Sequence, residues 1–93
     1  MTQDQHLSRI KHLRADRRQA LHALAEACHR INAAEFDTRF GAADQVILFD
    51  GVGAAFVRAQ AAHDALFAAT GEARDAGVPV RMLLHADIAV VRP

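Results

Sequence analysis

The sequence predicts an α+β fold dominated by helix, and three observations carry that prediction. Residues 5–36 contain no Gly or Pro and repeat apolar side chains at steps of three and four. Residues 54–76 repeat apolar side chains in the same way, with Gly71 the one glycine inside, and end at Gly77 and Pro79, which stop a helix. Two other segments, 45–49 and 78–91, have the apolar runs and alternation of strands. The alternative is an all-α helical hairpin with an extended C-terminal tail.

The first helix is expected over about 4–36. Thr2 is a plausible N-cap, and Asp4 sits in the first turn, where negative charge is favourable. Its apolar positions are Leu7, Ile10, Leu13, Ala20, Leu21, Leu24, Cys28 and Ile31. Arg14 and Arg17 interrupt this stripe, so either their methylene stems lie on it or they meet acids of a partner. At about 30 residues the helix would be roughly 45 Å long, more than the core of one small domain covers. The pattern breaks over Glu35–Phe40, and Gly41 ends it.

Gln45-Val46-Ile47-Leu48-Phe49 is short, apolar and partly β-branched, and Asp50-Gly51-Val52-Gly53 follows it. Strand then turn is the favoured reading. The competing reading continues the helix from Ala43, because Phe49, Val52, Phe56, Ala59, His63, Leu66 and Thr70 keep the helical step. Two glycines would cost such a helix about 1 kcal/mol each. In the helix over about 54–76, Phe56, Leu66 and Phe67 mark the expected packed side, and Gly71 marks a kink or an earlier end. Beyond it, Val80, Met82, Leu84, Ala86, Ile88 and Val90 alternate with a mixed set, which predicts an extended segment over 78–91 with a free edge.

Ninety-three residues make a single domain. Of its 48 apolar residues 21 are Ala, which bury little surface each, and Trp and Tyr are absent. Such a thin core favours a homodimer or higher assembly, with another protein as a further possible partner. Formal charge is zero, but residues 1–18 carry five basic against two acidic side chains. Zero net charge, a basic segment spread around its helix and no aromatic residue among the basic ones argue against nucleic acid. The lone Cys28 excludes an internal disulfide. No apolar run has the length of a membrane span or follows the N-terminal charges as in a signal peptide, so a cytoplasmic location and no membrane partner are expected.

Six histidines stand out. His22, Glu26 and His29 fall within about 60° on the first helix, and imidazole plus carboxylate suits Zn, Fe or Mn. This face lies opposite the Leu21, Leu24 and Ile31 stripe, so a divalent transition metal would need ligands from another subunit. Otherwise no cofactor is expected. His63, beside Asp64, falls on the apolar side and reads as a core histidine. His85 and Asp87 share a strand face and read as a surface pair. Cys28 reads as a buried structural thiol. Ser8 is the only serine and no nucleophile motif surrounds it. Asp50–Gly53 lacks the third glycine of a dinucleotide turn and the Gly-Lys-Ser/Thr of a P-loop.

The leading expectation is a non-enzymatic oligomerising or protein-interaction module. Its interface would comprise Leu7, Ile10, Leu13, Arg14, Arg17, Leu21 and Leu24, with Val80, Met82, Leu84, Ile88 and Val90 of the last segment. A metal-binding protein using His22, Glu26 and His29 is the second expectation. The third is a small α/β enzyme or ligand-binding domain with a pocket near Asp50–Gly53 and His85–Asp87.

Overall fold

The computed structural model describes residues 1–35 and 42–85, and the side chains of residues 1–32 and 49–84. Over these residues the chain is a helical hairpin: α1 (Gln3–Glu35), α2 (Ala42–Asp75) and a short α3 (Val80–His85). There is no strand among the described residues, so the α+β expectation is overturned.

Helix α1 starts on a reciprocal cap. The Gln5 backbone N–H donates to Thr2 Oγ1 (3.2 Å), and the Thr2 N–H donates to Gln5 Oε1 (2.8 Å). Two otherwise orphaned amides are satisfied at once, which fixes the first turn. The expected break over residues 36–41 lies outside the described residues.

The expected strand at 45–49 and turn at 50–53 are instead the beginning of α2. The local strand signal loses because α2, at 34 residues, lies along α1, at 33, and each buries a stripe against the other. Gly51, Gly53 and Gly71 all lie inside α2, and none of them ends it. A Cβ at any of the three would meet nothing within 4 Å, so packing does not require glycine there.

Helix α2 stops where the sequence says it should. Gly77 takes a φ of 92°. The Val78 N–H donates to the Ala73 carbonyl (3.0 Å) and the Gly77 N–H to the Arg74 carbonyl (3.0 Å), the two bonds of a Schellman motif. Val78 and Ala73 are both buried, supplying the apolar contact that accompanies this motif. Two substitutions should therefore move stability in opposite directions. Gly53→Ala is expected to stabilise by about 0.5–1 kcal/mol, through helix propensity alone. Gly77→Ala is expected to destabilise by about 1–2 kcal/mol, through the cost of left-handed backbone. Urea titrations of the two variants check the signs.

The extended reading of 78–91 is also corrected. Residues 80–85 form α3, started by the Pro79 carbonyl, which accepts from the Met82 (2.9 Å) and Leu83 (3.3 Å) amides. Alternation places Val80, Met82 and Leu84 together on one face of a strand, as interface residues. The helix instead buries Leu83 and leaves those three exposed. Residues 86–91, including Ile88 and Val90, lie outside the described residues.

The core sits at the open end of the hairpin. Ile10, Leu66, Ala69, Ala73, Val78 and Leu83 form one buried cluster, with Leu7 and Leu13 partly buried against it. Elsewhere along the seam the buried contacts are Ala20 and Ala59. Small side chains let two helix backbones approach closely, so alanine rather than phenylalanine occupies the contact line. This corrects the expected packed side of α2: Leu66 is on it, but Phe56 and Phe67 are exposed.

Candidate functional site

The register of the hairpin is marked by Arg9 Nη1, 2.6 Å from Glu72 Oε2. Both side chains are well exposed, so the pair contributes at most about 1 kcal/mol. It does show that residues of α1 and α2 whose numbers sum to about 81 lie side by side. Leu21 therefore lies level with Gln60, and Arg14 with Phe67.

The seam uses one stripe of each helix, and the flank beside it carries the large apolar groups. At ~100° per residue, Phe49, Phe56 and Phe67 lie within about 20° of one line on α2, well to the side of Ala59, Leu66 and Ala73. Their exposures are 57%, 58% and 77%. On α1, Leu21 is 49% exposed on the corresponding flank. The two flanks belong to the same side of the hairpin, because one groove joins them. A groove of about 360 Å³ is lined by Arg17, Arg18, Leu21 and Leu24 of α1 and by Phe56, Ala59, Gln60 and His63 of α2. A second, of about 190 Å³, continues it between Arg14 and Arg17 on α1 and His63, Leu66, Phe67 and Thr70 on α2. At the open end α3 is tied over this side by the Arg14 guanidinium, which donates to the Leu83 carbonyl, and by Gln3, which donates to Met82 Sδ.

The interface residues expected from the sequence divide into three groups. Ile10 is fully buried within the chain, and Leu7 and Leu13 pack on the same cluster. Arg14, Arg17, Leu21 and Leu24 line the groove. Val80, Met82 and Leu84 are exposed on α3. The residues the sequence reading left out are Phe49, Phe56 and Phe67. A signal for them exists: Phe49 and Phe67 are eighteen residues apart, five helical turns, with Phe56 on the same line.

Two expectations about single residues are corrected. His63 is exposed on the groove rather than in the core, and among the described residues the buried histidine is His6, in the first turns of α1. Cys28 is exposed rather than a buried thiol.

His22 Nε2 lies 3.1 Å from Glu26 Oε1, and Arg30 Nη2 lies 3.7 Å from Glu26 Oε2. All four of His22, Glu26, His29 and Arg30 are exposed. Among the described residues no three His, Cys, Asp or Glu side chains group as a metal site. The Asp50–Gly53 segment lies inside α2, so it forms neither a phosphate turn nor a helix N-terminus, and Asp87 is outside the described residues. Among the described residues no helix is long and apolar enough to cross a membrane. The chain matches no protein-family model, no curated protein and no solved structure.

Proposed function

We propose that this chain is a non-enzymatic protein-interaction module, a helical hairpin that lays one side against another helical surface. The observation that carries the reading is the line of Phe49, Phe56 and Phe67, each more than half exposed, beside Leu21. Scattered single apolar residues on a surface need no explanation. Three phenylalanines on one line of a helix, each more than half exposed, do, because exposed apolar surface of this kind marks interaction surfaces. Helices bury a stripe against whatever packs on them, and α2 carries a second line of large apolar side chains that its own fold leaves uncovered. Arg14, Arg17, Arg18 and His63 at the groove add polar groups of the kind that fix orientation at such contacts.

The test is binding of a dye that fluoresces on apolar surface, such as ANS, at protein concentrations low enough to dissociate any assembly. Wild-type protein is expected to enhance the fluorescence several-fold, and Phe56→Asp/Phe67→Asp to remove most of the enhancement. Wild-type protein that is monomeric at high concentration and gives no enhancement at low concentration would show the side to be closed, and the reading would fall.

A further inference from the structure

We propose that the occupant of this side is a second copy of the chain, turned about an axis parallel to the hairpin so that α1 of one copy lies on α2 of the other. The inference rests on the interaction reading above and adds to it the identity of the partner and the way round it docks.

Area is the first argument. At ~150–200 Å² for each large apolar side chain, the exposed parts of Phe49, Phe56, Phe67, Leu21 and of Val80, Met82 and Leu84 on α3 come to roughly 700 Å² per copy. Two copies would cover roughly 1,400 Å², within the ~1,200–2,000 Å² of a specific, stable interface.

Charge is the second argument, and it selects the orientation. Over its length α1 carries six basic and four acidic side chains, while α2 carries two basic and five acidic. The bias is concentrated on the edges that flank the apolar side. Beyond Leu21, the outer edge of α1 presents Lys11 and Arg18, within about 20° of one another, with Asp4 beside them in the first turn. Beyond the phenylalanine line, the outer edge of α2 presents Asp50, Asp64 and Asp75, within about 40°. A two-fold axis parallel to the helices sets the basic edge of each copy on the acidic edge of the other and keeps residues at their own level. The Arg9–Glu72 register puts Arg18 level with Asp64, so Arg18 of one copy faces Asp64 of the next. A two-fold axis across the helices would stack α1 on α1 and place basic edge on basic edge, which is disfavoured. The parallel axis also brings the two α3 helices to the same end, where Val80, Met82 and Leu84 meet their counterparts. The result is a bundle with α1 and α2 alternating around it and all neighbouring long helices antiparallel.

Sedimentation equilibrium of the full chain between about 1 and 200 µM tests the proposal, with circular dichroism confirming that each variant stays helical. Wild type is expected to be a dimer, and Phe56→Asp/Phe67→Asp to dissociate at least about 100-fold more readily. Arg18→Asp and Asp64→Arg should each weaken the dimer about tenfold, and the two reversals together should return it to within about threefold of wild type. Should either single reversal unfold the chain, distances between spin labels at Ser8→Cys in a Cys28→Ser background give the orientation. They should be under ~30 Å for the parallel axis and near 40 Å for the crosswise one. A dimer indifferent to the phenylalanines, one not recovered by the double reversal, or one with the longer label distance overturns the proposal. A monomer that still binds ANS overturns it while leaving the interaction reading in place. A monomer that binds ANS only after removal of residues 86–93 overturns it in favour of the chain's own C-terminal segment.

Discussion

Replacing Ile10 by alanine is expected to lower the unfolding free energy by about 3 kcal/mol, within the ~2–5 kcal/mol range of buried aliphatic truncations. Among the described residues, Ile10 is the largest side chain with no exposure at all. It touches a cluster in which three other members are the large side chains Leu66, Val78 and Leu83 and the remaining two are alanines. Alanines cannot rotate into a cavity, so the space left by three carbons stays largely unfilled. The cost should therefore not fall to the simple transfer value. For a chain of this size about 3 kcal/mol corresponds to a fall in melting temperature of roughly 12–24 °C. Thermal and urea melts at one fixed protein concentration check it, since association would otherwise shift the midpoint. A loss below about 1 kcal/mol would mean that Ile10 is not the centre of the core.

Leu83→Ala is expected to cost a similar amount but to act differently. Helix α3 has six residues, too few to persist in water without docking. Its anchor is the buried Leu83, with Val78 before it and the Arg14 guanidinium on the Leu83 carbonyl. Removing the anchor should release α3 locally, at about 2–4 kcal/mol, and leave the α1–α2 seam intact. Native-state hydrogen exchange reads this directly. The Met82 and Leu83 amides should lose nearly all protection, while amides of α2 near Ala59 and Leu66 keep theirs. Uniform loss across all three helices would instead make α3 an inseparable part of one cooperative unit.

Two helix ends are legible in the sequence, the start of α1 and the stop of α2, because each is decided by a few adjacent residues. Thr2 could be read as a cap and Gly77–Pro79 as a stop, and both act so in the fold. The middle of the chain was not legible for the opposite reason. Val46–Phe49 followed by Asp50 and Gly51 has a local preference for strand and turn, and only the neighbouring length of α1 outweighs it. The phase of α2 misled in a second way. Large side chains suggest the buried stripe in the sequence, whereas the seam is built on Ala20, Ala59, Ala69 and Ala73, with Leu66 and Ile10 filling one end. That error placed Phe56, Phe67 and His63 inside. It hid the candidate site, whose main residues are those that the hairpin leaves uncovered. At α3 the alternation of Val80, Met82 and Leu84 was real, but a pattern of period two over five residues does not exclude a single helical turn anchored by the residue in between, Leu83.

The position of the core has a consequence for how the chain reaches its fold. Most helical hairpins can close from the connection outward, each step joining residues near in sequence. Here the large buried side chains lie at the far end: Ile10 must find Leu66, Val78 and Leu83, more than fifty residues away, before much apolar surface is removed from water. Near the connection the described seam offers mainly alanine, which rewards early zipping little. Closing so long a loop costs entropy ahead of any gain, and rates fall as the mean separation of contacts grows. The chain should therefore fold more slowly than its helix content implies, with Ile10 and its partners already engaged at the rate-limiting step.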